Sequence, residues 1–292
     1  MNRFLYLIFL FFVGIECGIL SWEENQQLKT YCGTKPGPLE QFSSRRRNIL
    51  GGVPISGSQA PWAVRIRFGN RRCSATIISP RHILSASHCV ISHQGDYDPI
   101  LTQSTAFCNE NDWVFTQNNN LFYVTNQKDE LVSEKVSKII LFNYCYRADP
   151  VYDDMMIWEL KEDIQLNDFA QPACISNNPS LQATYTNVRM TSYGHNSTNM
   201  KNTDRKGISI LRKGDFMIES LANSGSAFII VDQHQKYYVR TGDSGGSVIN
   251  DVNGRHFVIG VASCTEGSDP FKTIITSVYA HFNQICQYTG VC

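Results

Sequence analysis

The feature that most limits this chain is a succession of short apolar or alternating runs, each closed by turn residues, with almost no helical periodicity between them. The first is WAVRIRF, where Val64, Ile66 and Phe68 alternate with Arg65 and Arg67. CSATIIS (73–79), VSKIILF (136–142), SAFIIVD (226–232), HFVIGVAS (256–263) and TIITSVY (273–279) follow. Period-two patterning of this length is the signature of strands, and many short strands in series point to barrels or sandwiches. Only the tail, Val278 to Tyr288, has spacing suited to a short helix. An all-β chain of 292 residues has room for one large domain or two packed subdomains.

The chain opens with Met1-Asn2-Arg3, the apolar stretch Phe4 to Val13 and small residues from Gly14 to Ser21. This is the pattern of a secretory signal peptide, assigned to 1–17, with the cut after Cys17 or a few residues later. A membrane anchor needs about 20 apolar residues, and Gly14, Glu16 and Gly18 interrupt the run. Ten cysteines without a CxxC pair argue for an oxidising compartment and against a zinc site. Removing Cys17 leaves nine, so at least one thiol is left over or pairs with another chain. Asn196-Ser197-Thr198 is a glycosylation sequon. With 26 Lys+Arg against 26 Asp+Glu, nothing favours a nucleic-acid partner or, once the signal is gone, a membrane. Ser21 to Asn48, with Cys32, two prolines and the run Arg45-Arg46-Arg47, reads as a linker.

Three segments carry chemistry. In Leu84-Ser85-Ala86-Ser87-His88-Cys89, a disulfide from Cys73 to Cys89 would fix the strand end that bears His88. In Asp153-Asp154-Met155-Met156-Ile157-Trp158, an acid at the start of an apolar strand could orient a histidine through its Nδ1 proton. In Gly242-Asp243-Ser244-Gly245-Gly246-Ser247, glycines let the backbone turn sharply around a serine and free its N–H groups for an oxyanion. The serine motif also fits the nucleophile elbow of α/β-hydrolases. Those place their acid and histidine after the serine, and here no βα alternation follows it.

These segments, together with ILGG at 49, PWAV at 61 and TSYG at 191, resemble the chymotrypsin/trypsin-like serine peptidases, in that family's His, Asp, Ser order. The wording of LSASHC and GDSGGS is similar to the secreted nematode-type branch. The resemblance implies two antiparallel β-barrels, about 49–168 and 184–276, a short C-terminal helix and an active site in the cleft between the barrels. It implies a secreted endopeptidase, made as a zymogen, with 18–48 as pro-segment and 49–292 as peptidase domain. His88, Asp154 and Ser244 would form the triad, with Asp154 preferred to Asp153 because it keeps the family's register with the strand. The N–H groups of Gly242 and Ser244 would form the oxyanion hole, without cofactor or metal.

The same resemblance implies that Ile49, freed by an activating protease, pairs with Asp243. Here Asn48, not a basic residue, precedes Ile49, so either an asparagine-directed cut, or trimming after Arg47, or poor activation follows. Cys32 with Cys174 resembles the bridge that retains a cleaved pro-segment. Cys108 is expected to pair with Cys145, inside an interval longer than the family's usual by roughly twenty residues and read as an enlarged surface loop. Cys264, Cys286 and Cys292 stay unassigned, one of them a candidate for the odd thiol. Tyr238 stands where trypsin-type members carry the pocket-floor aspartate. Thr265 and Thr273 take wall positions, Cys264 the place of a common tryptophan, and Ser263 the place of a serine that supports the buried acid. The expected partners are a protein or peptide substrate, the activating protease and a protein inhibitor. The alternative reading is a secreted protease-like binding or regulatory protein.

Overall fold

The structure, a computed structural model, describes residues 18–34, 52–68, 71–91, 105–116, 122–126, 130–133, 135–145, 152–194, 210–267 and 269–292. Among the described residues, sixteen strands dominate. In chain order they are β1 (Val53–Pro54), β2 (Ala63–Phe68), β3 (Arg71–Ser79), β4 (His82–Ser85), β5 (Thr105–Asn109), β6 (Asp112–Thr116), β7 (Phe122–Thr125), β8 (Leu131–Ser133), β9 (Val136–Leu141) and β10 (Met156–Leu160). The second half adds β11 (Asn187–Ser192), β12 (Arg212–Ala222), β13 (Ala227–Val231), β14 (Ser247–Val252), β15 (Arg255–Glu266) and β16 (Asp269–Ser277). Two helices, α1 (Trp22–Tyr31) and α2 (Phe282–Thr289), flank them.

The strands form two antiparallel sheets. β12, β11, β14, β15, β16 and β13 run side by side, and β13 pairs back onto β12, closing a six-stranded barrel to which β1 adds at β12. The other sheet has nine strands in the order β5-β6-β9-β10-β4-β3-β2-β7-β8. This is the two-barrel chymotrypsin-like architecture, with α2 at the C-terminus. All five residues of β10 are buried, as a central strand covered on both faces requires.

The six strand runs singled out in the sequence are strands β2, β3, β9, β13, β15 and β16. Arg65 departs from its expected outward place. It is buried, its guanidinium donates to the Asn126 carbonyl at 2.9 Å, and it lies over the Tyr193 ring, 5.1 Å from the centroid. The cation thus sits on an aromatic face instead of in water.

Two loop expectations are corrected. The long interval between His88 and Asp154 is not simply an enlarged loop: Thr105–Asn109 and Asp112–Thr116 form a hairpin whose second strand pairs with β9. The stretch read as a linker carries helix α1. Ser21 caps it in both senses, accepting from the Glu24 N–H and donating its own N–H to the Glu24 carboxylate at 2.7 Å. Among the described residues no helix is long and apolar enough to cross a membrane.

Candidate active site

His88 sits in a single helical turn, Ser87–Cys89, after β4. Cys89 is bonded to Cys73 on β3, and the Ser87 hydroxyl donates to the Met155 carbonyl at 2.6 Å. Asp154 lies just before β10, which pairs with β4 so that Met156 faces Ser85. Neighbouring strands therefore bring the imidazole and the carboxylate together. His88 Nδ1 lies 2.5 Å from Asp154 Oδ2, and the His88 backbone N–H donates to Oδ1 at 2.9 Å. The Ser263 hydroxyl, from the other sheet, donates to Oδ2 at 2.6 Å. Asp153 instead faces His281, 3.3 Å away.

Asp154 is fully buried. Burial by itself raises its pKa; the attraction of His88 and the hydrogen bonds from His88 and Ser263 outweigh that and hold the carboxyl at about 2. It is ionised at neutral pH and fixes one face of the imidazole, leaving Nε2 for other work.

The turn that bears Ser244 is tied by its backbone to the nine-stranded sheet. Its carbonyl accepts from the Ser74 N–H at 2.9 Å, and the carbonyl of Gly242 accepts from the Ser74 hydroxyl at 2.8 Å. Gly245, with φ +79°, is pressed so closely on β3 and β4 that a Cβ there would lie 2.1 Å from Ser85 Oγ and 2.2 Å from the Ser74 carbonyl. Only glycine allows both that φ and that approach. Gly242 also has positive φ, +94°.

Asp243 is fully buried. Its carboxylate accepts from the Ser192 hydroxyl at 2.6 Å, the Gly194 N–H at 2.9 Å and the Arg240 N–H at 2.8 Å. Burial raises its pKa to about 6 against those three bonds and the attraction of buried Arg212. Ile49, its expected partner, and Asn196 lie outside the described residues.

The expected pocket residues are neighbours in part. Thr265 faces Thr273 across the β15–β16 ladder, and Cys264 faces Ile274. Thr273 is wholly buried, and its hydroxyl has no hydrogen-bond partner among the described residues. Tyr238 packs edge-on against Phe271 of β16, with ring centroids 5.7 Å apart. Its hydroxyl accepts from Arg240 at 2.6 Å, and that guanidinium lies 4.7 Å from its ring centre. The Ser263 hydroxyl is turned to Asp154.

Among the described residues there are four disulfides, Cys32–Cys174, Cys73–Cys89, Cys108–Cys145 and Cys286–Cys292, with Cys264 free. The ligating atoms of Cys73, His88 and Cys89 lie within 4.8 Å of one another. Both sulfurs are spent in a disulfide, so that cluster offers no thiolate to a metal. Ser74, Ser192 and Arg212 were not singled out from the sequence; the one available signal was a serine inside each of the quoted segments CSATIIS and TSYG.

A two-barrel fold with a buried Asp154 held against His88, and a glycine-framed serine turn on the other sheet, defines the trypsin-like serine peptidase class. Residues 3–292 match the nematode trypsin-6-like family, and the chain belongs to it. It is 26% identical over 266 residues to trypsin-like protease try-5 of Caenorhabditis elegans, covering 76% of this chain and 80% of that protein. Complement factor I of Mus musculus is 24% identical over 281 residues, covering 90% of this chain and 42% of the factor. Among solved structures, a scabies mite inactivated protease paralogue superposes with a TM-score of 0.58 at 17% identity, covering 83% of this chain and 98% of that one. The named proteases among these relatives support a protease-type function.

Proposed function

We propose that this chain is a secreted serine endopeptidase, made as a zymogen, that hydrolyses peptide bonds through an acyl-enzyme. Residues 1–17 direct secretion, 18–48 form the pro-segment, and a glycan sits at Asn196. Ser244 Oγ attacks the substrate carbonyl while His88 Nε2 takes its proton, and the backbone N–H groups of Gly242 and Ser244 receive the oxyanion. His88 then protonates the leaving amine, and water completes the cycle by the same route. Asp154 holds the imidazole tautomer and stabilises the imidazolium. Cleavage by an activating protease supplies the Ile49 ammonium to Asp243.

The observation that carries this reading is the convergence on the Asp154 carboxylate of His88 Nδ1, the His88 N–H and the Ser263 hydroxyl. A mere scaffold does not need an ionised acid buried behind an imidazole, because burying it costs free energy unless it is fully partnered. The test is a fluorophosphonate probe on processed protein, which should modify Ser244. Probing His88→Ala in parallel shows whether the reaction depends on the base.

A second reading, a secreted protease-like binding or regulatory protein, draws on two observations. Tyr238, Arg240 and Phe271 pack on one another where a substrate pocket is expected. Asp243 also has three donors without any amino terminus. Folded, processed protein that ignores the probe would favour it.

A further inference from the structure

We propose that removal of residues 1–17 frees the amine of Gly18 as an ammonium that forms a buried ion pair with Glu159 on β10. The inference rests on the secretory reading of the N-terminus and not on peptidase activity.

Gly18 is buried, and Glu159 is 2% exposed. A Cβ at Gly18 would lie 2.4 Å from Glu159 Oε2 and 2.8 Å from Oε1, so this carboxylate faces the Gly18 backbone directly. The amine and that imaginary Cβ hang from the same Cα, which places the nitrogen at most about 5 Å from Oε2. Glu159 has acceptor capacity left: Ser137 Oγ donates to Oε1 at 2.5 Å, and Lys138 Nζ, on a half-exposed side chain, lies 3.2 Å from Oε2. Across the ladder, Glu159 faces His82, which burial keeps neutral with a pKa of about 3.

The segment that bears Gly18 is held in place independently. Leu20 donates its N–H to the Thr289 carbonyl at 2.8 Å and packs with Leu28, Cys32, Cys174 and Val291. Asn25 exchanges two hydrogen bonds with the backbone of Cys292, and Glu24 pairs with Arg81 at 2.6 Å. An ammonium at position 18 is therefore delivered to Glu159 and cannot drift away from it.

The contact also selects the cleavage point. A cut after Gly18 or Ile19 would remove the residue that faces the carboxylate, and a cut after Leu20 would also delete a buried side chain. Of the small-residue bonds at the end of the signal, Cys17–Gly18 leaves both features intact. This ammonium is distinct from that of Ile49: one would meet Glu159 of the nine-stranded sheet, the other Asp243 next to Ser244.

The test starts from full-length chain secreted by a eukaryotic host. N-terminal sequencing should return Gly18. Native protein is then treated at pH 7 with limiting acetic anhydride, and acetylation of the Gly18 amine is mapped by mass spectrometry against the denatured protein. An ion pair that raises the amine pKa by one unit or more slows labelling at least about tenfold. Glu159→Gln should restore most of that rate. Should that variant not fold, one alanine inserted between Cys17 and Gly18 carries the ammonium off the carboxylate and should restore the rate as well. A different N-terminus, no protection in the native protein, or equal protection in whichever variant folds would each overturn the pairing.

Discussion

The hydroxyl of Ser74, on β3, donates to the carbonyl of Gly242 at 2.8 Å, so one buried side chain of the nine-stranded sheet holds the serine loop of the barrel. The same oxygen accepts the Tyr193 N–H at 2.8 Å, and the Ser74 N–H holds the Ser244 carbonyl. Ser74→Ala strips two partners in a site that water does not reach. Leaving buried groups unpaired costs about 1–3 kcal/mol each, so the thermal midpoint should fall by several degrees. Fluorophosphonate labelling of Ser244 should slow about tenfold or more, because positioning within an ångström governs reactivity. Ser74→Cys, which keeps a weak donor, should recover part of both.

Asp154 governs a second set of outcomes. Asp154→Asn should leave the fold intact and lower peptide hydrolysis on the order of 10⁴-fold, since an amide favours the wrong imidazole tautomer. Ser263→Ala removes one of the bonds to Oδ2 and should cost far less. The folded pKa, about 2, lies below the ordinary 3.8. Its stabilising contribution is therefore complete above pH 4 and is lost as the pH falls through 2. The contribution is roughly 2 kcal/mol, and urea midpoints measured between pH 2 and 5 on wild type and Asp154→Asn should differ in slope accordingly.

Asp243 has the opposite sign. Its folded pKa is raised from 3.8 to about 6, so the folded state binds its proton more tightly than the unfolded chain does. Uncut protein should accordingly lose stability as the pH rises from 4 to 6, by about 3 kcal/mol for this group alone. Asp243→Asn should flatten that segment of the profile. Protein cut so that Ile49 is the new terminus should lose this dependence as well, because an ammonium partner favours the charged carboxylate. Denaturant midpoints at pH 5 and 7 for the three forms decide it.

The legible parts of the molecule were those written in local patterns. β2, β3, β9, β13, β15 and β16 each show an apolar or alternating run, and His88, Asp154 and the Gly242–Ser247 turn carry recognisable wording. Asp154 is separable from Asp153 in sequence only by register with Met156–Leu160; in the fold, the separation is that one acid meets His88 and the other His281. Helix α1, capped by Ser21 and Glu24, is hidden in the sequence by its few apolar residues, because much of its anchorage comes from Arg81, Arg255 and Cys292 far along the chain. Arg65 and Glu159 break the alternation for a similar reason. Their charges are satisfied by Asn126, Ser137 and Lys138, which no local pattern connects to them. The pairing of Cys286 with Cys292 depends on the turn after α2, where Gly290 takes φ +69°.

Cys264 is the free cysteine among the described residues, and eight of the ten cysteines are in disulfides. If Cys17 leaves with the signal, an aromatic disulfide reagent should count one thiol per denatured, unreduced chain; retention of residues 1–17 would give two. Burial pushes the Cys264 thiol up, the Ser263 hydrogen bond opposes this, and the Asp154 carboxylate adds to the rise. The thiolate is the reacting species, so native protein at pH 8 should react more slowly than a free cysteine. The position matters to function because Cys264 lies between Ser263, which holds Asp154, and Thr265, which faces Thr273. A bulky adduct there should block peptide hydrolysis while leaving the thermal midpoint within a few degrees, and Cys264→Ser should be immune to the reagent. Unimpaired hydrolysis by fully modified protein would place the substrate away from β15.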